Sequence, residues 1–114
     1  MTFTDIERKA RRILQDNDAP YRWDSSELRE HLQEGIYAIH ALRPETRYVN
    51  GTLVDAVMLQ QNDDEEWECQ INARFEEALV YFVVHKCYLD DDTDTTNQQL
   101  AEIYLGKFNT KAQL

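Results

Sequence analysis

Three histidines, two cysteines and a run of aspartates are the side chains whose types could carry chemistry, and their spacing argues against most of it. His31, His40 and Cys69 fall at none of the spacings that put two metal ligands on one helix face or in one knuckle, so no metal site is expected. Asp90, Asp92 and Asp94 begin like a calcium-binding EF-hand loop. Its sixth position, however, is Thr95 rather than glycine, and its twelfth is Ala101 rather than glutamate, so these acids are expected to be the solvated start of a helix. Cys69 and Cys87 make no disulfide framework; on one helix they would stand about 27 Å apart, and both are expected as reduced core thiols. Glu76 and Glu77 border the apolar run Ala78 to Val84 and would have raised pKa values if buried, but acids at such a boundary ordinarily stay at the surface. No glycine-rich phosphate loop or Gly-x-Ser-x-Gly elbow occurs, and Gly35 stands alone in a helical pattern, where it permits close packing. The expectation is a protein that is not an enzyme, with no catalytic residue and no cofactor.

The elements that would position these residues are mostly helical. Thr4-Asp5-Ile6-Glu7 reads as a capping box, and Ile6, Ala10, Ile13 and Leu14 follow at helical spacing, predicting a helix over about 4–15. Asn17, Asp18 and Pro20 make a linker. Asp24 and Glu27 form a second capping pair, with Trp23 placed to staple onto Leu28. Leu28, Leu32, Ile36, Ile39 and Leu42 then mark one face of a helix over about 25–43, which Pro44 ends. Asn50-Gly51 between β-formers signals a hairpin within 47–59, with an extended arm as the other possibility. The segment QQNDDEEWE is a loop or the acidic first turn of a third helix over about 66–89. That helix is apolar on most sides, so a neighbouring subunit is expected to help cover it. A fourth helix over about 94–107 carries Leu100, Ile103, Tyr104 and Phe108 as its stripe, frays at Gly106, and leaves residues 109–114 as an extended tail. The fold expected is thus mainly α: a small four-helix bundle over residues 1–108, with an extended or β-hairpin middle segment.

At 114 residues, with 42% apolar and 30% charged side chains, the chain fits one folded domain, and no apolar run approaches the length of a membrane span. The start, MTFTDIERKARR, has no apolar export segment, which predicts a cytoplasmic origin and no membrane partner. The formal charge of −10 is lopsided: residues 1–47 hold eight Lys/Arg against nine Asp/Glu, and residues 48–114 hold four against thirteen. The acidic half should repel nucleic acid, which weighs against a helix-turn-helix reader built on the first two helices. Arg8, Lys9, Arg11 and Arg12 form the one basic cluster. They are expected either to pair within the helix with Asp5, Glu7 and Asp16, or to face an acidic surface on a neighbouring copy, which makes Arg8, Arg11 and Arg12 candidate subunit contacts.

The order Trp23, Ser26-Glu27-Leu28, Leu32, Ala41-Leu42-Arg43-Pro44-Glu45, then Glu77-Ala78-Leu79-Val80-Tyr81, Tyr88, Asp90 to Asp92, Asn97, Ala101 and Phe108 resembles the head-to-tail connector (adaptor) proteins of tailed bacteriophages, over roughly residues 20–108. Residues 46–66 depart from that pattern in lacking the proline-centred segment such proteins often have. The resemblance implies a structural virion protein, assembled in the host cytoplasm into a homo-oligomeric ring, commonly a dodecamer, at the neck beneath the portal protein. Such a ring extends the DNA channel, lets packaged DNA through as passing cargo, and offers a surface to the tail or to a tail-completion (nozzle) protein. It also implies that Phe108, Lys111 and Leu114 dock on the portal. Asp63, Asp64, Glu65, Glu66, Asp90, Asp91 and Asp92 are the candidates for a channel wall that repels phosphate. The alternative is a small acidic regulatory or DNA-mimic protein.

Overall fold

The computed structural model describes residues 1–61, 63, 66–91 and 95–113, with the backbone alone at position 95. The described chain is mainly helical: α1 (Phe3–Leu14), α2 (Ser25–Leu42), α3 (Glu76–Asp90) and α4 (Thr95–Gln113), with two small antiparallel hairpins between α2 and α3. β1 (Tyr48–Val49) pairs with β2 (Thr52–Leu53), and β3 (Gln60–Gln61) with β4 (Trp67–Glu68).

α1 starts at Phe3, and its cap lies two residues before the Thr4 that the sequence pattern suggests. Thr2 is the cap: its hydroxyl accepts from the Asp5 amide at 3.2 Å while the Asp5 carboxylate accepts from the Thr2 amide at 3.4 Å. The shift brings Phe3 into the core beside Ile6 and Ala10. α2 is capped by Asp24 through its backbone alone and buries Leu28, Leu32, Ile36 and Ile39. Trp23 and Leu28 both lie in the core, as the staple requires. Beyond α2, Pro44 opens a 3-10 turn (Pro44–Arg47) that leads into β1. The Asn50-Gly51 hairpin forms as its residues dictate, with φ of 51° and 79° at its two central positions, which glycine and asparagine tolerate best.

α3 is the centre of the packing. It lies most extensively on α4, then on α2 and α1, and buries Ala78, Leu79, Val80, Phe82, Val83, Val84 and Cys87. The chain's own helices therefore cover the sides that the sequence left for a neighbouring subunit, and α3's apolarity is no longer a reason to invoke one. Gly35 makes the α2–α3 approach possible: a Cβ there would stand 3.0 Å from Phe82 Cδ1 and 3.3 Å from Leu79 Cδ2. Phe82 in turn packs edge-on against Phe108, with ring centroids 5.0 Å apart.

Two expected boundaries are corrected. The third helix does not start at 66: Trp67 and Glu68 are spent in β4, where Thr2 bridges to Glu68 and the Cys69 amide donates to the Met1 carbonyl at 3.1 Å. α3 begins only after a 3-10 turn, Ala73–Phe75, capped by Asn72. Cys69 and Cys87 are accordingly on different elements, both buried and unpaired. The expected extended tail 109–114 is helical through Gln113, because Ala112 is fully buried and its carbonyl accepts from Arg43 at 3.4 Å, so α4 does not fray at Gly106. Its packed face runs through Ala101, Tyr104, Phe108 and Ala112, leaving Ile103 exposed.

Candidate assembly surface

The basic cluster of α1 divides between core and surface. Arg8 is exposed and reaches Asp5 at 3.4 Å. Arg11 is 5% exposed, and its guanidinium binds Asp16 at 2.8 Å and Glu7 at 3.0 Å, stacked over the Tyr21 ring. Asp16 also accepts from the Arg22 amide at 2.9 Å and the Trp23 amide at 3.3 Å, so the Arg11–Asp16 pair holds the α1–α2 linker closed. Arg11 is therefore withdrawn from the candidate subunit contacts: the sequence foresaw its partners, and burial makes them its whole role. Arg12 is exposed with no carboxylate partner among the described residues.

Arg12 lies on a groove that the sequence did not reveal. Between α1 and the start of α3, Lys9, Arg12 and Arg74 surround a hollow of about 590 Å³ whose apolar lining includes Ile13 and Val80. A second hollow of about 570 Å³, between α3 and α4, is lined by Ile103, Gly106, Lys107 and Lys111. The two meet at Glu77 and Tyr81, which line both. The antiparallel packing of α4 on α3 brings Lys107 over the Tyr81 and Tyr104 rings, at 5.6 and 5.1 Å, and Lys111 to Glu77 at 3.3 Å. The Tyr81 hydroxyl donates to Glu77 at 2.8 Å, which holds that carboxyl below its ordinary range and raises the phenol above its own. Glu77 is thus an exposed, ionised carboxylate, and Glu76 pairs with Lys9. Five cations against these two acids make the groove net positive on a chain of charge −10. The signal available in advance was weak: Lys107 and Lys111 are one turn apart on α4, but only the tertiary fold sets them beside Lys9, Arg12 and Arg74.

No family model matches this chain, and no curated protein or solved structure matches it either.

Of the candidate channel acids, Asp90 and Asp91 lie away from the groove. Asp90 is at the other end of α3, about 20 Å from Glu77 at 1.5 Å per residue. Its carboxylate lies 2.9 Å from His31 Nε2, without hydrogen-bond alignment, so the contact is an ion pair only when the ring is protonated. Asp91 pairs with Arg22 and accepts from Asn97 at 2.9 Å. Asp63 and Glu66 are exposed between β3 and β4. Asp64, Glu65 and Asp92 lie outside the described residues, as does Leu114 of the candidate portal contacts. Of the other two, Lys111 lines the groove, whereas Phe108 is a core side chain 2% exposed, so it positions the end of α4 and does not itself present a contact.

Gln33, unflagged by any sequence pattern, and His40, considered in the sequence only as a metal ligand, hold the middle segment. Gln33 donates to the Val57 carbonyl and accepts from the Leu59 amide, both at 2.9 Å. His40 accepts from the Val57 amide through Nε2 at 3.1 Å, which leaves Nδ1 to donate to Thr46 at 2.7 Å; burial, with Arg47 nearby, lowers its pKa. Among the described residues no three His, Cys, Asp or Glu side chains converge as a metal site would require, and no helix is long and apolar enough to cross a membrane.

Proposed function

We propose that this chain is a structural subunit of a tailed-bacteriophage neck, a head-to-tail connector that assembles as a homo-oligomeric ring between the portal and the tail and extends the DNA channel. The observation that carries the reading is the polarity of the folded surface: a cationic groove at the N-terminal end of α3 and acids at its C-terminal end. A ring joins one face of each subunit to a different face of the next, and opposite charges on the two faces set its direction. The resemblance over roughly residues 20–108 supports the same reading and names the neighbours: portal above, tail or tail-completion protein below. Asp90, exposed at the end of α3, suits a channel wall, because a carboxylate surface repels phosphate over roughly 8 Å at physiological salt and lets DNA pass without gripping it.

Lys111 is the described residue that remains for portal docking at the end of α4. The experiment is co-sedimentation of the purified chain with portal rings. Binding by the native chain, weakened severalfold or more by Lys111→Glu with far-UV circular dichroism unchanged, is the expected result. A native chain that stays in the supernatant at every concentration would reject the connector reading.

A further inference from the structure

We propose that the groove between α1, α3 and α4 receives the acidic β3–β4 connection, residues 62–66, of a second copy of this chain. This rests on the connector reading for its biological setting, but its physical grounds are separate. The groove concentrates five of the chain's twelve Lys/Arg against two acids, Glu76 and Glu77; Arg12 has no carboxylate partner among the described residues, while Arg74 acts at longer range on Glu45 and Lys107 on Glu77. Cations gathered this closely repel one another unless an anion shares the space. The sequence joining β3 to β4 carries Asp63, Asp64, Glu65 and Glu66, four consecutive carboxylates against a groove with three more cations than acids, and Asp63 and Glu66 are exposed.

The groove also offers what a bare charge patch lacks. Val80, Ile13 and the Tyr81 ring give it apolar lining, and Ile103, 52% exposed, forms an apolar edge. Gly106 projects no side chain into it, and a Cβ there would meet nothing within 4 Å. The match offered by the β3–β4 connection is one of charge: its carboxylates would meet the cations on either side of the hollow. Donor and receiver are different parts of one chain, so the contact is heterologous and repeats from copy to copy.

The test is a charge swap in the full chain, read by sedimentation velocity across concentration at physiological salt. One variant carries Arg12→Glu, Arg74→Glu and Lys107→Glu; Lys9 and Lys111 are kept because they hold Glu76 and Glu77. The other carries Asp63→Lys, Asp64→Lys, Glu65→Lys and Glu66→Lys, and circular dichroism checks the fold of each. The native chain is expected to self-associate, and each variant alone to do so about tenfold or more weakly. An equimolar mixture should recover association, since each variant then supplies what the other's altered face needs. A native chain that stays monomeric, or a mixture no better than its components, overturns the proposal. Duplex DNA that binds the native chain and is lost with the groove variant also overturns it, assigning the groove to nucleic acid. If both variants still ring the portal normally, this contact is wrong and the connector reading stands. If the native chain ignores the portal yet the swap behaves as expected, the contact stands and the connector reading falls.

Discussion

Arg11 and Arg8 are three residues apart on one helix and should behave as opposites. Removing one partner of a buried ion pair leaves an uncompensated charge, so Arg11→Ala should cost about 3–5 kcal/mol in urea unfolding, while Arg8→Ala, at an exposed pair, should fall within about 0–1 kcal/mol. Reversing Arg11 to test assembly would therefore report unfolding; Arg8→Glu with Arg12→Glu is the informative pair and should weaken ring formation with the fold intact. Cys87 is equally internal: burial, with Asp90 as the leading nearby charge, pushes its thiol from 9.0 to about 12. Between those values the unfolded chain has lost a proton that the folded chain keeps, so stability falls as pH rises through that window; Cys87→Ala should flatten the fall. His40 gives the acidic counterpart. Its pKa is lowered from 6.5, so below that pH the unfolded chain takes up a proton that the folded chain resists, and stability falls as pH falls. The denaturant midpoint measured on either side of that pH should show the loss in the native chain and less of it in His40→Gln.

The glycines of α2 and α4 argue the same point at the scale of elements. Both lie in helices, where alanine is preferred by about 1 kcal/mol, yet Gly35→Ala would press a methyl group onto Phe82 and Leu79, which Phe108 and His85 hem in from beyond. Overpacking wins there, and the change should destabilise by about 1 kcal/mol, whereas Gly106→Ala, with open space around it, should stabilise by up to about 1 kcal/mol. The close approach at Gly35 was legible in the sequence; the helix running past Gly106 was not, because what carries it on is tertiary, the burial of Ala112 and the Arg43 bond to its carbonyl. By the same logic, deleting residues 109–114 should lower helicity and stability together instead of trimming a free tail. The Asn-Gly hairpin was one of two readings left open, beside an extended arm, whereas helices announced by a periodic face and a proline stop, such as α2, could be read directly. β3 and β4 could not, since two-residue strands leave no periodicity and are held by Thr2 and by the backbone of Met1. The groove was hidden for a related reason, its cations coming from α1, the turn before α3, and α4.

Over the whole molecule, the charge imbalance of the sequence becomes a direction. The acids outnumber the bases, but the fold collects a cationic groove at one end of α3 and leaves Asp90 and Asp91 at the other. α3 is largely covered within the chain, so the proposed assembly, if it works through these charged features, should weaken as salt screens them, with a Debye length falling to about 3 Å at 1 M. The most direct measurement of the connector account is negative-stain imaging of purified portal rings mixed with the native chain. An added ring of density coaxial with the portal channel on one of its faces, absent without the chain, is the predicted result. Portal particles that look the same with and without an excess of folded chain would contradict it.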